Sequence, residues 1–185
     1  VKDTVKPDSR EAVERMKNMG KRVIMLTGDS EGAAAAVASE VGITEYRSSV
    51  MPQDKEIVVR ELQQSGSKVA MIGDGINDAP ALTRADVGIA IGAGTDIAIE
   101  SADIVLSGSS LTDAVTAFRL GDAVIKNIKM SLFWAFFYNS AGIPIAAGVL
   151  SGIGITLNPM IAAAAMSFSS VCVVLNALRL RRFKK

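Results

Sequence analysis

The residues best equipped for chemistry lie in one decapeptide, Gly73-Asp74-Gly75-Ile76-Asn77-Asp78-Ala79-Pro80-Ala81-Leu82, where two carboxylates stand four residues apart with an amide between them. An apolar run at 68–72 leads into it and reads as a strand, so the decapeptide is a turn at a strand's carboxyl end. That donor set suits a hard cation: Mg²⁺ takes oxygen ligands, usually one or two carboxylates completed by phosphate and water, which Asp74 and Asp78 can supply. A plainer reading is a capped turn, with Asp74 and Asn77 satisfying backbone N–H groups. A second strand end, Thr27-Gly28-Asp29 after the apolar run 23–26, repeats the Gly-Asp pairing. In open α/β sheets ligands sit beyond the carboxyl ends of strands, where glycine admits a substrate close to the backbone and the next helix offers free N–H groups.

Positioning two such turns requires strands with helices between them. Apolar runs alternate with helix-like segments from 23 to 106, the pattern of a mostly parallel sheet wrapped by helices, so the fold class is α/β. Strands are expected at 23–26, 68–72, 87–91 and 103–106. Helices are expected at 8–19, 31–41, 54–64 and 111–129, with shorter ones at 77–83 and 95–101. Ser30 is placed to cap the 31–41 helix, and Asp29 either caps it too or acts as a hinge.

Charge divides the chain. The 49 residues of 130–178 contain no Asp, Glu, Lys, Arg or His. A stretch of that kind belongs in lipid, as two spans of about 130–150 and 160–178, each roughly 30 Å long at 1.5 Å per residue. A buried helical hairpin is the alternative. Lys126 and Lys129 precede the stretch and Arg179, Arg181, Arg182, Lys184 and Lys185 follow it, and the positive-inside rule makes that side cytoplasmic. The expected organisation is therefore a cytoplasmic domain at 1–125, two transmembrane helices within 126–179 and a basic cytoplasmic tail at 180–185, in a multi-pass membrane protein. This distribution implies a bilayer partner and no nucleic acid. The single Cys172 excludes an intrachain disulfide and fits a reducing compartment. With no initiator Met and no signal peptide, the chain is expected to be a C-terminal fragment.

Four segments in order resemble the P-type ATPases, within the haloacid dehalogenase-like phosphotransferases. Asp3-Thr4-Val5-Lys6-Pro7 resembles the Asp-x-x-Arg/Lys-Pro segment, Met25-Leu26-Thr27-Gly28-Asp29 the Thr-Gly-Asp loop, Pro52-Gln53-Asp54-Lys55 the Pro-x-x-Lys segment, and the decapeptide the hinge motif. The resemblance implies a haloacid dehalogenase-like (Rossmann-like) phosphorylation domain that uses ATP and Mg²⁺ to phosphorylate an aspartate and then hydrolyses it. Thr27 and the Gly28 amide would bind phosphoryl oxygens, Lys55 would neutralise charge, Asp74 would hold Mg²⁺, and Asn77 and Asp78 would orient the cluster. Asp3, Lys6, Pro7 and Asp29 would form hinges. Taken singly, Thr27 can be a strand-end hydroxyl and Lys55 a solvated lysine in a helix's first turn. The family's Asn after Thr-Gly-Asp is Ser30 here, and its nucleophile motif Asp-Lys-Thr-Gly-Thr does not occur. The adenine site normally includes a His, and the chain has none. Alone, it is expected to be inactive, its partner being the missing N-terminal part of the same polypeptide.

In the uncharged stretch, Tyr138-Asn139 precedes Pro144, and Met166-Ser167-Phe168-Ser169-Ser170 sets a thioether beside three hydroxyls. Polar groups there can form a pathway or simply bond to neighbouring helices. These residues resemble the membrane signatures of copper(I)-transporting P-type ATPases, and soft Cu⁺ prefers sulfur ligands. The resemblance implies a copper exporter, with Met166 as ligand, Tyr138 and Asn139 as neighbours, Ser169 and Ser170 as lesser ones, and a copper chaperone as a further partner. A zinc or cadmium exporter would place a lysine and an aspartate in these spans, and neither is present. Ser131 stands where the copper family usually has Asn, and Cys172 reads as packing. The alternatives are a P-type ATPase for another metal such as silver or zinc, or a membrane-anchored, non-catalytic interaction module.

Overall fold

The computed structural model describes residues 5–74, 77–92, 100–147 and 159–183. Asp3, the Gly75-Ile76 step and most of the expected 95–101 helix lie outside them, as do the side chains of Tyr138, Asn139, Met166 and Ser169.

Parallel pairing organises the first of two compact units, Val1–Ala117. Strand β1 (Ile24–Leu26) pairs with β2 (Glu45–Arg47), Ile24 opposite Glu45 and Leu26 opposite Arg47. A separate three-stranded parallel sheet has the order β3 (Ala70–Gly73), β4 (Val87–Ile91), β5 (Ile104–Leu106). Among the described residues the expected single sheet is thus two. β2 had no apolar run to announce it: Glu-Tyr-Arg is a strand because its backbone completes β1 and because the Arg22 guanidinium reaches the Glu45 carboxylate, Nε to Oε1 at 2.8 Å.

Between the strands run α1 (Ser9–Asn18), α2 (Glu31–Val41), α3 (Pro52–Gln64) and α4 (Ala79–Arg84). The alanine-rich α2 buries Ala34, Ala38 and Val41 on one face and ends at Gly42, whose φ of 80° is one that L side chains resist. Ser30 precedes it in extended conformation but makes no side-chain cap bond, so its expected capping role is not realised. α3 starts two residues before the expected 54–64, because Pro52 occupies the first turn, where its missing N–H is not needed. Val59 of α3, Met71 of β3, and Ala81 and Leu82 of α4 form a buried cluster flanked by Val69 and Ala85. α4 lies directly on β4: a Cβ at Gly88 would sit 2.7 Å from the Leu82 carbonyl oxygen. The decapeptide is thereby held at both ends, by β3 before it and α4 after it.

α5 (Leu111–Ala146) begins in the first unit, where Ala114 and Val115 are fully buried, and runs through Gly121 without a break. The expected 111–129 helix continues without a break to Ala146. Pro144 sits in its last turn, leaving the Ser140 carbonyl without its helical N–H partner. The second unit, Phe118–Lys185, adds α6 (Pro159–Leu178) and a 3₁₀ turn, Arg179–Arg182. Among the described residues, no helix is long and apolar enough to cross a membrane. Large apolar side chains are nevertheless exposed on both helices, among them Phe133, Phe136 and Ile143 on α5 and Val174 and Leu175 on α6. Phe133, Trp134 and Phe137 form a ring cluster with centroids 5.5 to 6.0 Å apart.

Candidate functional site

Three segments converge at the carboxyl ends of β1 and β3. After β1, the Thr27 hydroxyl donates to Asp29 Oδ2 at 2.8 Å and accepts the Asp29 N–H at 3.2 Å. That closes a small polar turn, and it engages Asp29 with Thr27 rather than with the start of α2. The segment after β2 then locks onto this turn. Ser49 N–H donates to the Asp29 carbonyl at 2.8 Å and Val50 N–H to the Thr27 carbonyl at 3.0 Å. Ser49 takes a φ of 51° to make the corner, an unusual conformation for a residue with a side chain. Gly28 leaves ordinary contact distance, 3.6 Å from an added Cβ to the Val50 carbonyl oxygen. Two residues past Val50, α3 begins and delivers Lys55 from its first turn.

Lys55 meets the decapeptide. Its ammonium donates to Asp78 Oδ1 at 2.6 Å, and the two side chains are only 15% and 11% exposed, so Lys55 is no solvated surface lysine. Asp78 is the one buried charged residue among those described. It lies against Gly73: a Cβ there would come within 2.7 Å of the Asp78 Cβ and still closer to Oδ2. Glycine at 73 is thus a packing requirement of the aspartate, not only a turn preference. Asp74 is exposed at the end of β3, and the Asn77 N–H approaches its Oδ1 at 3.4 Å, a long version of the capped turn. The all-oxygen donor set of Asp74 and Asp78 fits a hard cation such as Mg²⁺; with one Asp78 oxygen on Lys55, phosphate and water oxygens would complete the shell.

A hydroxyl and exposed loop backbone at the end of β1 are thus linked, through the Val50 to Lys55 segment, to a buried ammonium and two carboxylates at the end of β3. Residues 1–86 and 55–118 each match a family model of haloacid dehalogenase-like hydrolases. The probable copper-transporting ATPase PacS of Synechocystis sp. is 52% identical over 99% of this chain and 25% of its own length. The copper-exporting P-type ATPase of Bacillus subtilis is 53% identical over 100% of this chain and 22% of its own. A solved zinc-transporting PIB-type ATPase in its E2.Pi state superposes with a TM-score of 0.84 at 37% identity, covering 97% of this chain and 28% of that one. Along its whole length the chain is similar to P-type ATPases. It spans about a quarter of the length of the curated relatives it matches.

The expected hinge residues divide. Lys6 donates to the Ser109 carbonyl at 2.6 Å, while Pro7 leads into α1. The structure adds Asp8, which sequence reasoning passed over as a helix start. Its carboxylate makes no cap bond to α1 and instead accepts the Ser110 hydroxyl, whose oxygen in turn accepts the Thr112 N–H at the start of α5. These bonds hold its pKa below the ordinary aspartate value, led by Ser110. Of the expected metal-path residues, Tyr138 and Asn139 lie on α5 and Met166, Ser169 and Ser170 on α6, with Ser170 exposed. Ser131 accepts the Asn176 side-chain amide at 2.9 Å, which gives the serine at that position a structural use.

Proposed function

We propose that this chain supplies the phosphoryl-handling residues and the last two membrane helices of a copper(I)-exporting P-type ATPase. The observation that carries the reading is the Lys55–Asp78 pair, seated on Gly73 and tied through Val50 to the Thr27 loop. In this reading the Thr27 hydroxyl and the Gly28 N–H hold phosphoryl oxygens, and the Lys55 ammonium, fixed by Asp78, offsets their charge. Asp74 and Asp78 are the residues that would hold Mg²⁺, with Asn77 bracing the turn. Bound Mg²⁺ and ATP would supply charge neutralisation and the phosphoryl group. The receiving aspartate has no counterpart among these 185 residues and comes from another segment of the polypeptide.

Residues 130–150 and 160–178 cross the bilayer, with the globular unit and the C-terminus in the cytoplasm. The uncharged sequence, the exposed Phe133, Phe136, Ile143, Val174 and Leu175, and the flanking Lys126, Lys129 and Arg179 support this. Met166 is the copper ligand from this chain, with Tyr138, Asn139, Ser169 and Ser170 around it, and a copper chaperone as donor. The sulfur ligand and the absence of any carboxylate between 130 and 178 favour a soft monovalent ion, Cu⁺ or the similar Ag⁺. Likeness to a zinc-transporting structure is the one observation favouring zinc. Phosphoenzyme formation from radiolabelled ATP by the full-length protein decides: stimulation by Cu⁺ and not Zn²⁺ is expected, and stimulation by Zn²⁺ alone would end the copper reading.

A further inference from the structure

Near the cytoplasmic end of the two long helices, three polar side chains bind one another. Asn127 of α5 donates its amide to the Asn176 carbonyl of α6 at 2.7 Å. Asn176 returns the bond, its amide lying 3.2 Å from the Asn127 carbonyl oxygen, 3.2 Å from Asn127 Oδ1 and 2.9 Å from Ser131 Oγ. All three residues are partly buried on helices whose neighbouring side chains are mostly exposed. The Asn176 carbonyl belongs to the last turn of α6, and the Asn127 amide binds it there. Each asparagine thus reads the backbone of the opposite helix. A slide by one residue, about 1.5 Å, would break both bonds together.

The clasp also constrains direction. Ala146 lies 19 residues beyond Asn127, and Pro159 lies 17 residues before Asn176. In a parallel pair those ends would stand roughly 54 Å apart, whereas the thirteen steps of chain between them reach at most about 45 Å. A parallel arrangement is excluded, and a hairpin fits. In a hairpin, Tyr138 lies about 16 Å along α5 from the clasp and Met166 about 15 Å along α6 from it, on the same side. The two helix positions fall at one level.

We propose that Asn127 and Asn176 are positioning residues for the metal path: their reciprocal clasp sets the longitudinal register of α5 against α6 and so holds Tyr138 and Asn139 level with Met166. This rests on the copper-path reading of those residues. The partly buried amide pair, remote from the phosphoryl residues in sequence and bonded to the backbone and side chains of the two helices, acts on metal affinity and not on phosphoryl chemistry.

The test uses the full-length transporter in membranes, titrated with Cu⁺ while phosphoenzyme from labelled ATP is counted. Asn176→Ala and Asn127→Ala are each expected to raise the Cu⁺ concentration for half-maximal phosphorylation about three- to tenfold, with the level at saturating Cu⁺ unchanged. Combining them is expected to add little, because either substitution already opens the clasp. Should either variant fail to accumulate, Ser131→Ala, which removes one bond, is expected to give a smaller rise, and a disulfide between cysteines substituted at 127 and 176 in a Cys172→Ser background is expected to restore wild-type affinity. An unchanged Cu⁺ titration in both alanine variants, or a loss confined to the saturating level, overturns the clasp while leaving the copper reading intact. A wild type that does not respond to Cu⁺ overturns both.

Discussion

Lys55 Nζ lies 2.6 Å from Asp78 Oδ1, with both side chains largely withdrawn from water. A pair in that position is costly to break from one side, since the surviving charge is left uncompensated. Lys55→Met is therefore expected to lower unfolding stability by about 3 kcal/mol, and the Lys55→Met/Asp78→Leu double variant to recover most of that. Urea unfolding followed by circular dichroism measures it. Equal losses in the single and double variants would mean that the two residues are not coupled.

Gly73 is where the same aspartate meets the backbone. Gly73→Ala drives a methyl into Asp78 and is expected to cost about 1–3 kcal/mol, visible as a lower melting temperature. Adding Asp78→Gly, which removes the Cβ as well as the carboxylate, should relieve the clash, leaving the double variant less destabilised than the sum of the two single changes.

For the Thr27 turn, the hydroxyl that bonds Asp29 is also the proposed phosphoryl donor. Thr27→Val is expected to reduce phosphoenzyme formation by the full-length protein about a hundredfold, and Thr27→Ser to retain most of it. Activity kept by Thr27→Val and lost in Thr27→Ser would point to packing of the Thr27 methyl instead.

Asp86 offers a pH signature away from the site. Lys68 first, then the Val69 N–H and Gln63, hold its carboxylate far below the usual aspartate range. A depressed carboxylate adds stability that is fully present above the unfolded-state pKa, about 3.9, and is lost as pH falls toward the native value. The melting-temperature gap between wild type and Asp86→Asn should accordingly be constant from pH 7 to about 5 and close below about 4. A gap independent of pH would contradict this.

The 185-residue chain on its own is expected to incorporate no phosphate from ATP, because it contains no Asp-Lys-Thr-Gly-Thr. Acid-stable labelling of the isolated chain would show that one of its own carboxylates can serve as the acceptor.

What could be read without coordinates was whatever rests on local pattern. The Gly-Asp strand ends, the alternation behind the α/β fold, the 31–41 helix with its glycine stop and the 49 uncharged residues all follow from neighbours in the chain. β2 was invisible for the opposite reason: Glu45-Tyr46-Arg47 has no strand signature of its own and exists by pairing with β1. Folding alone also chose between alternatives that residue types left open. It took Asp29 to Thr27, left Ser30 without a capping bond, and sent Asp8 to the start of a helix a hundred residues away. It brought Lys55 to Asp78 across 23 residues and Asn127 to Asn176 across 49. Residue types determined which groups could bind phosphate, Mg²⁺ or a soft metal; only tertiary structure decided which were paired, because burial and long-range backbone contacts set the partners available to each charge.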